Sequence, residues 1–99
     1  MTIYQIIATL EKPVAYGYHS QPQPLPYFCL MGAGQDQFQA DNTYYTREDH
    51  WQIEFYFKEK DPTLEKSVED LLLQYGYKYT KSEDIYIESE DVFVIYYEV

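Results

Sequence analysis

The sequence predicts an α+β fold: a mainly antiparallel sheet of four to six strands with two helices packed on one face. Three observations point there. Two segments carry apolar residues at helical spacing, each with residues suited to capping; residues 49–58 alternate apolar and polar without a break; and the other apolar runs are short, β-prone and joined by turn-like links. The expected order is α-β-β-β-α-β-β, with a third late strand allowed, as a single domain over residues 1–99.

The first helix rests on Ile3, Ile6, Ile7 and Leu10, spaced i, i+3, i+4 and i+7, with Thr2 as its N-cap and Pro13 ending it. So short a helix is unstable alone and must dock its apolar stripe. Val14 to His19 reads as a short strand. Pro22, Pro24 and Pro26 then enforce an extended connector. Tyr27 to Ala33 is apolar on both faces, which suits a strand covered on both sides and central in its sheet. Gly32 and Gly34 loosen the backbone, and Gln35 to Asn42 reads as a long polar loop or hairpin tip with Phe38 isolated within it.

From Asp49 to Lys58, Trp51, Ile53, Phe55 and Phe57 alternate with His50, Gln52, Glu54, Tyr56 and Lys58; Tyr44 and Tyr45 can extend this strand toward the loop. The second helix opens on Asp61 as cap with Pro62 in its first turn and closes at Gly76. Leu64, Val68, Leu71, Leu72 and Tyr75 form its stripe, and Glu65 and Glu69 lie toward the positive end of its dipole. Tyr77 and Tyr79 suggest a strand, Ser82-Glu83-Asp84 a turn, Ile85 and Ile87 a short extended segment, and Val92 to Val99 a last strand.

Charge narrows the function. The net charge is −10, from 17 acids and 7 bases. Residues 1–57 hold 6 acids and 2 bases, and residues 58–99 hold 11 and 5, among them Glu83, Asp84, Glu88, Glu90 and Asp91. Phosphate binding needs clustered cations, so no specific nucleic-acid binding is expected, and anionic membrane surfaces would repel the chain. No apolar stretch approaches the roughly 20 residues of a membrane span, and no signal-peptide pattern opens the chain. The single cysteine, Cys29, fits a reducing compartment. Aromatics make up 19% of the residues, 13 of them Tyr, a composition that suits half-buried sheet faces and interfaces alike.

Catalytic and metal chemistry find little support. His19 and His50 stand outside any Cys/His cluster with ligand spacing, and the acidic runs at 83–84 and 88–91 lack the twelve-residue calcium-loop pattern, so neither metal nor cofactor is expected. Cys29 lies in the most apolar strand, where burial keeps a thiol inert. Gly32-Ala33-Gly34 lacks the third Gly, the Lys and the following helix of a phosphate loop. No carboxylate pair is singled out for acid–base work, and no enzyme is expected. What remains is surface. Gln35, Phe38, Tyr44, Tyr45 and Arg47 in the long segment 35–47 include aromatic and Arg types enriched at interface centres, and an edge position for the last strand would let it pair with a neighbouring subunit.

The N-terminal helix leading into PVAYGYHSQPQPLPYFCLMGAGQDQF, the strand HWQIEFYFKEK, the helix LEKSVEDLLLQYG and the closing YIESEDVFVIYYEV together resemble the small tail-completion or tail-terminator (minor tail, head–tail joining) proteins of long-tailed bacteriophages. The resemblance covers nearly the whole chain and rests on the order and texture of elements, with no catalytic motif. It implies the order α-β-β-β-α-β and a subunit of a ring, commonly hexameric, that caps the tail tube and meets the head-side connector in the virion after assembly in the host cytoplasm. Phage tail and connector proteins are then the expected partners, with segment 35–47 and the strand edges as contact regions. Acidic walls facing a DNA channel would let DNA slide without sticking. The competing expectations are an acidic inhibitor or DNA mimic that blocks a nucleic-acid-binding enzyme, and a small ligand-binding domain with a concave pocket.

Overall fold

The computed structural model describes residues 1–40 and 44–99, and only the backbone of residues 39, 40 and 44–46. Helix α1 spans Ile3–Ala8. The Thr2 hydroxyl accepts from the Gln5 N–H while the Gln5 side chain accepts from the Thr2 N–H, a reciprocal capping box. The helix stops at the Thr9 cap, before Pro13, and Glu11 turns the chain with a left-handed φ of 60°. Ile3, Ile6 and Ile7 are buried as the spacing requires.

Strand β1 is shorter than expected, Val14–Tyr16. It pairs in parallel with β2, Tyr27–Ala40, so the sheet expected to be mainly antiparallel is mixed, with this one parallel pair beside four antiparallel ones. Adjacent parallel strands require a crossover. The proline-rich segment 17–26 supplies it, leaving β1 at Gly17 (φ 81°) and passing over one face of the sheet. Strand β3, Tyr44–Phe57, runs antiparallel to β2 along its whole length, from Tyr27↔Tyr56 to Ala40↔Tyr44.

Helix α2, Pro62–Gln74, starts and stops where its sequence signals lie. The Asp61 carboxylate accepts from the Leu64 N–H at 3.0 Å. At the other end the Tyr77 N–H reaches the Leu72 carbonyl (2.9 Å) and the Gly76 N–H reaches the Leu73 carbonyl (3.1 Å), with Gly76 at φ 85°, a Schellman closure. Val68 and Leu72 are buried, but Tyr75 is exposed and the third buried residue is Glu65.

Three short or medium strands follow: β4 at Thr80–Lys81, β5 at Ile85–Ile87 and β6 at Val92–Glu98. The strand expected at Tyr77 and Tyr79 begins only at Thr80; those two rings instead pack as partly buried side chains against the core. Strand β6 is interior, between β3 on one side and β4 and β5 on the other, so the last strand offers no free edge. The six-stranded sheet has the order β1-β2-β3-β6-β4, with β5 also on β6. It is a mixed sheet with two helices, and it carries both short strands before β6.

Alternation along the strands sends Phe28 and Leu30, Ile53, Phe55 and Phe57, and Ile95 and Tyr97 to one face, where Ile3 and Ile7 of α1 and Val68 and Leu72 of α2 complete a single core. Phe28 stacks on Phe55 at 4.9 Å, and Phe55 lies 5.2 Å from Phe57. Both helices therefore cover the same face. The double-sided burial expected for residues 27–33 holds at Cys29, beneath the crossover, but fails at Met31, which is 41% exposed.

Glu65 explains how a carboxylate is tolerated beside this core. Lys81 Nζ lies 2.9 Å from its Oε1, and Lys60 Nζ donates to the same oxygen at 2.9 Å while lying 2.8 Å from Oε2, a charge contact without the angle of a hydrogen bond. Lys81 also holds Glu69 at 2.8 Å, Tyr97 Oη donates to Glu69 at 2.8 Å, and Lys60 reaches Asp84 at 3.0 Å. Glu65 and Glu69 thus serve α2 by tying it to β4, β6 and the following turn more than by complementing its dipole.

Candidate functional site

Strands β2 and β3 are both longer than the sheet they belong to. Strand β6 covers β3 only from Gln52 to Phe57, with Trp51 and Val99 bonding one step further. Beyond Trp51 the two strands continue as a two-stranded arm, with Gln35 opposite Asp49, Asp36 opposite Glu48, Gln37 opposite Arg47 and Phe38 opposite Thr46. Residues 31–38 and 47–49 are all exposed. The molecule measures 51 × 25 × 23 Å, and six paired residues at about 3.3 Å each account for roughly 20 Å of such a length. Of the two readings of this segment, loop or hairpin tip, the structure shows the hairpin, with strand at Gln35–Ala40 and Tyr44 and Tyr45 extending β3 as expected. Alternation with Gln, Asp and Thr left loop and hairpin undistinguished, because neither face of a projecting ribbon needs an apolar stripe.

A bulge sets the arm's direction. Between Gly32↔Trp51 and Gln35↔Asp49, Ala33 and Gly34 oppose His50 alone, and Gly34 takes φ 100°. Here the Gly pair read as a loosened backbone has a definite task. His50 fastens this root. Its Nε2 lies 2.7 Å from Asp36 Oδ2 and its Nδ1 lies 3.1 Å from the Val99 carbonyl oxygen. Both partners only accept, so both contacts are hydrogen bonds only when the ring is an imidazolium. The Asp36 bond, followed by the Val99 bond, raises the His50 pKa above its ordinary value. Gln35 Nε2 donates to Asp49 Oδ1 at 2.6 Å across the arm, and Trp51 meets Tyr16 edge-on at 5.9 Å below it.

Of the residues expected at an interface, Gln35, Phe38 and Arg47 lie on the arm and are exposed, Phe38 by 50%. Tyr44 and Tyr45 belong to the same arm by register, and their side chains lie outside the described residues, as does segment 41–43.

A second feature lies on the sheet face opposite the helices. The crossover residues Gly17 to Gln23 form one wall of a cleft of about 570 Å³; Tyr27, Cys29 and Met31 of β2 and Glu54 and Tyr56 of β3 form its floor, with Glu90 at the rim. His19 secures the wall by donating from Nε2 to the Phe28 carbonyl at 3.0 Å, and its ring meets Tyr27 edge-on at 5.1 Å. Tyr27 and Tyr56 lie 5.0 Å apart with their planes tilted by 42°, and Tyr56 Oη donates to Glu54 Oε1 at 2.7 Å. Burial, then Glu54, raises the Cys29 pKa; burial, Cys29, Glu90 and Glu54 raise that of Tyr27. The thiol beside His19 is thereby held in its protonated form.

The chain matches no family model and no curated protein sequence. Its surface has to be interpreted on its own chemistry. Among the described residues no group of three or more His, Cys, Asp and Glu is placed to hold a metal ion, and no helix is long and apolar enough to cross a membrane. Sequence reasoning reached the arm's residues through their types but missed His50 and the cleft. His50 looked like one more polar residue of an alternating strand. The cleft joins residues 17–23 to 54–56 and 90, and that proximity exists only once the parallel crossover has formed.

Proposed function

We propose that this chain is a non-catalytic structural subunit of a ring that terminates the tail tube of a long-tailed bacteriophage and joins it to the head connector. The observation that carries the reading is the arm. The described side chains of the ribbon are exposed on both faces and add little to folding, and they include Phe38 and Arg47, residue types that concentrate at protein–protein contacts. A ring subunit needs such an element to reach its neighbour or the tube. The order of one helix, three strands, a second helix and a closing β segment agrees with the resemblance found in the sequence, with two short strands inserted before β6. In this setting the partners are further copies of the chain, in a ring of six by the resemblance, together with tail-tube and connector proteins. No cofactor is required, and the location is the virion.

The acidic surface is less suited to a DNA mimic than the composition suggested. Asp84 and Asp91 are engaged by Lys60 and Lys58, and Glu65 and Glu69 by Lys81, so lysines interrupt the acidic C-terminal half and part of its charge is neutralised within the fold. The test is to mix the purified chain with tail tubes that lack their terminal ring and image them by electron microscopy. The expected result is a ring of density at one tube end; tubes that stay bare and keep lengthening would overturn the reading.

A further inference from the structure

We propose that Arg47 on the arm of one copy of this chain docks in the cleft of a second copy, between the Tyr27 and Tyr56 rings and the Glu54 and Glu90 carboxylates. The inference rests on the chain being a self-assembling subunit, and it names the contact through which copies meet.

The cleft has the chemistry of a cation host. Tyr18, Tyr27 and Tyr56, a methionine and two carboxylates line it, and among the described residues neither Glu54 nor Glu90 has a lysine, arginine or histidine within ion-pair distance. Rings of this kind attract a guanidinium through their π faces, and a nearby carboxylate strengthens the attraction. The uncompensated charge already acts on the cleft's own groups, since Glu54 and Glu90 both help to raise the Tyr27 pKa. At about 570 Å³ the cleft falls within the range of roughly 300–1,000 Å³ that small-molecule sites occupy, enough for a long side chain and its flanking atoms.

Few cations in the chain are available to fill it. Lys58, Lys60, Lys66 and Lys81 are held by Asp91, by Glu65 and Asp84, by Asp70, and by Glu65 and Glu69. Lys12, Lys78 and Arg47 remain, and Arg47 is the chain's single arginine. Lys12 and Lys78 lie in connections beside the helices, whereas Arg47 is exposed on the projecting arm, opposite the neutral Gln37. It cannot serve its own cleft, because the strand from Arg47 to Glu54 spans about 23 Å at roughly 3.3 Å per residue. An arm that fits only a neighbour's cleft gives a head-to-tail contact, the type that closes into rings.

The test is sedimentation of the full-length chain over a concentration series, with circular dichroism to show that each variant is folded. Arg47→Glu should weaken self-association by about ten-fold or more, as should Glu54→Lys combined with Glu90→Lys, and an equimolar mixture of the two should recover to within about three-fold of wild type, because each arm then meets a cleft of opposite sign. Should the double variant misfold, Glu90→Lys alone, on an exposed turn, takes its place in the mixture. Lys78→Glu carries the same net charge as Arg47→Glu and should leave association unchanged, which separates the contact from general repulsion. Equal weakening by Lys78→Glu, undiminished association of Arg47→Glu, or a mixture no better than its parts would each overturn the inference. A wild-type chain that stays monomeric throughout would also overturn it while leaving the ring reading, since a ring can form on the tube end. Charge-dependent association by a chain that never adds to tail tubes would support the contact and overturn the ring.

Discussion

Along β3 a single strand passes through two regimes. From Ile53 to Phe57 every second side chain is buried under the helices, whereas Arg47, Glu48 and Asp49 are all exposed. The backbone ladder to β2 is continuous through both, broken only by the bulge at Gly32 to Gln35. Hydrogen bonding therefore does not distinguish body from arm; apolar burial does. A two-stranded ribbon without a buried face is marginal alone. This arm is held at its root by His50, Trp51 and the bulge, and its surface is left available for contact.

The contrast is broken most severely in the body. Phe55→Ala removes a fully buried ring packed between Phe28 and Phe57 and should cost about 3–5 kcal/mol in denaturant unfolding. Lys81→Ala strips one cation from the buried Glu65 and from Glu69. Removing one partner of a fully buried pair costs about 3–5 kcal/mol, but Lys60 remains and Lys81 is itself one-third exposed, so about 1–3 kcal/mol is expected in the same assay. Gly34→Ala places a side chain at φ 100° in the bulge, with no steric clash, and should cost about 1–2 kcal/mol of backbone strain. Amide exchange should then quicken on the arm and stay slow at Ile53 and Phe55.

The smallest effect sharpens the comparison at the arm's root. The His50 pKa is raised in the folded chain, so its contribution is complete below the unfolded value of about 6.5 and is lost as pH rises through the folded value. A titration of the His50 ring by NMR should show the raised value, and Asp36→Asn should bring it down toward the ordinary one. An unchanged His50 titration in Asp36→Asn would show that Asp36 does not hold the ring.

The sequence made the body more legible than the surface. Caps at Thr2 and Asp61, the Gly76 terminator and the alternation at 51–57 are local signals, and local physics obeys them. The parallel pairing of β1 was not legible, because the prolines at 22–26 specify an extended chain but not the face it crosses. The arm was half legible. Its residue types drew attention to segment 35–47 and a hairpin tip was one of two readings, yet a ribbon polar on both faces carries no periodic signal that would separate it from a loop. The acidic Glu65 read as a dipole partner because the lysines that neutralise it are distant in sequence or in a different element.

The most direct test of the account is to remove the arm and keep the body. Replacing residues 33–50 by an Asn-Gly turn between the paired Gly32 and Trp51 should leave a cooperatively folded chain, within about 1 kcal/mol of the parent, because no core side chain is lost. The same chain should fail to self-associate or to add to tail-tube ends, both read by light scattering. A folded, armless chain that still assembles like the parent would contradict the central claim that the arm exists for contact.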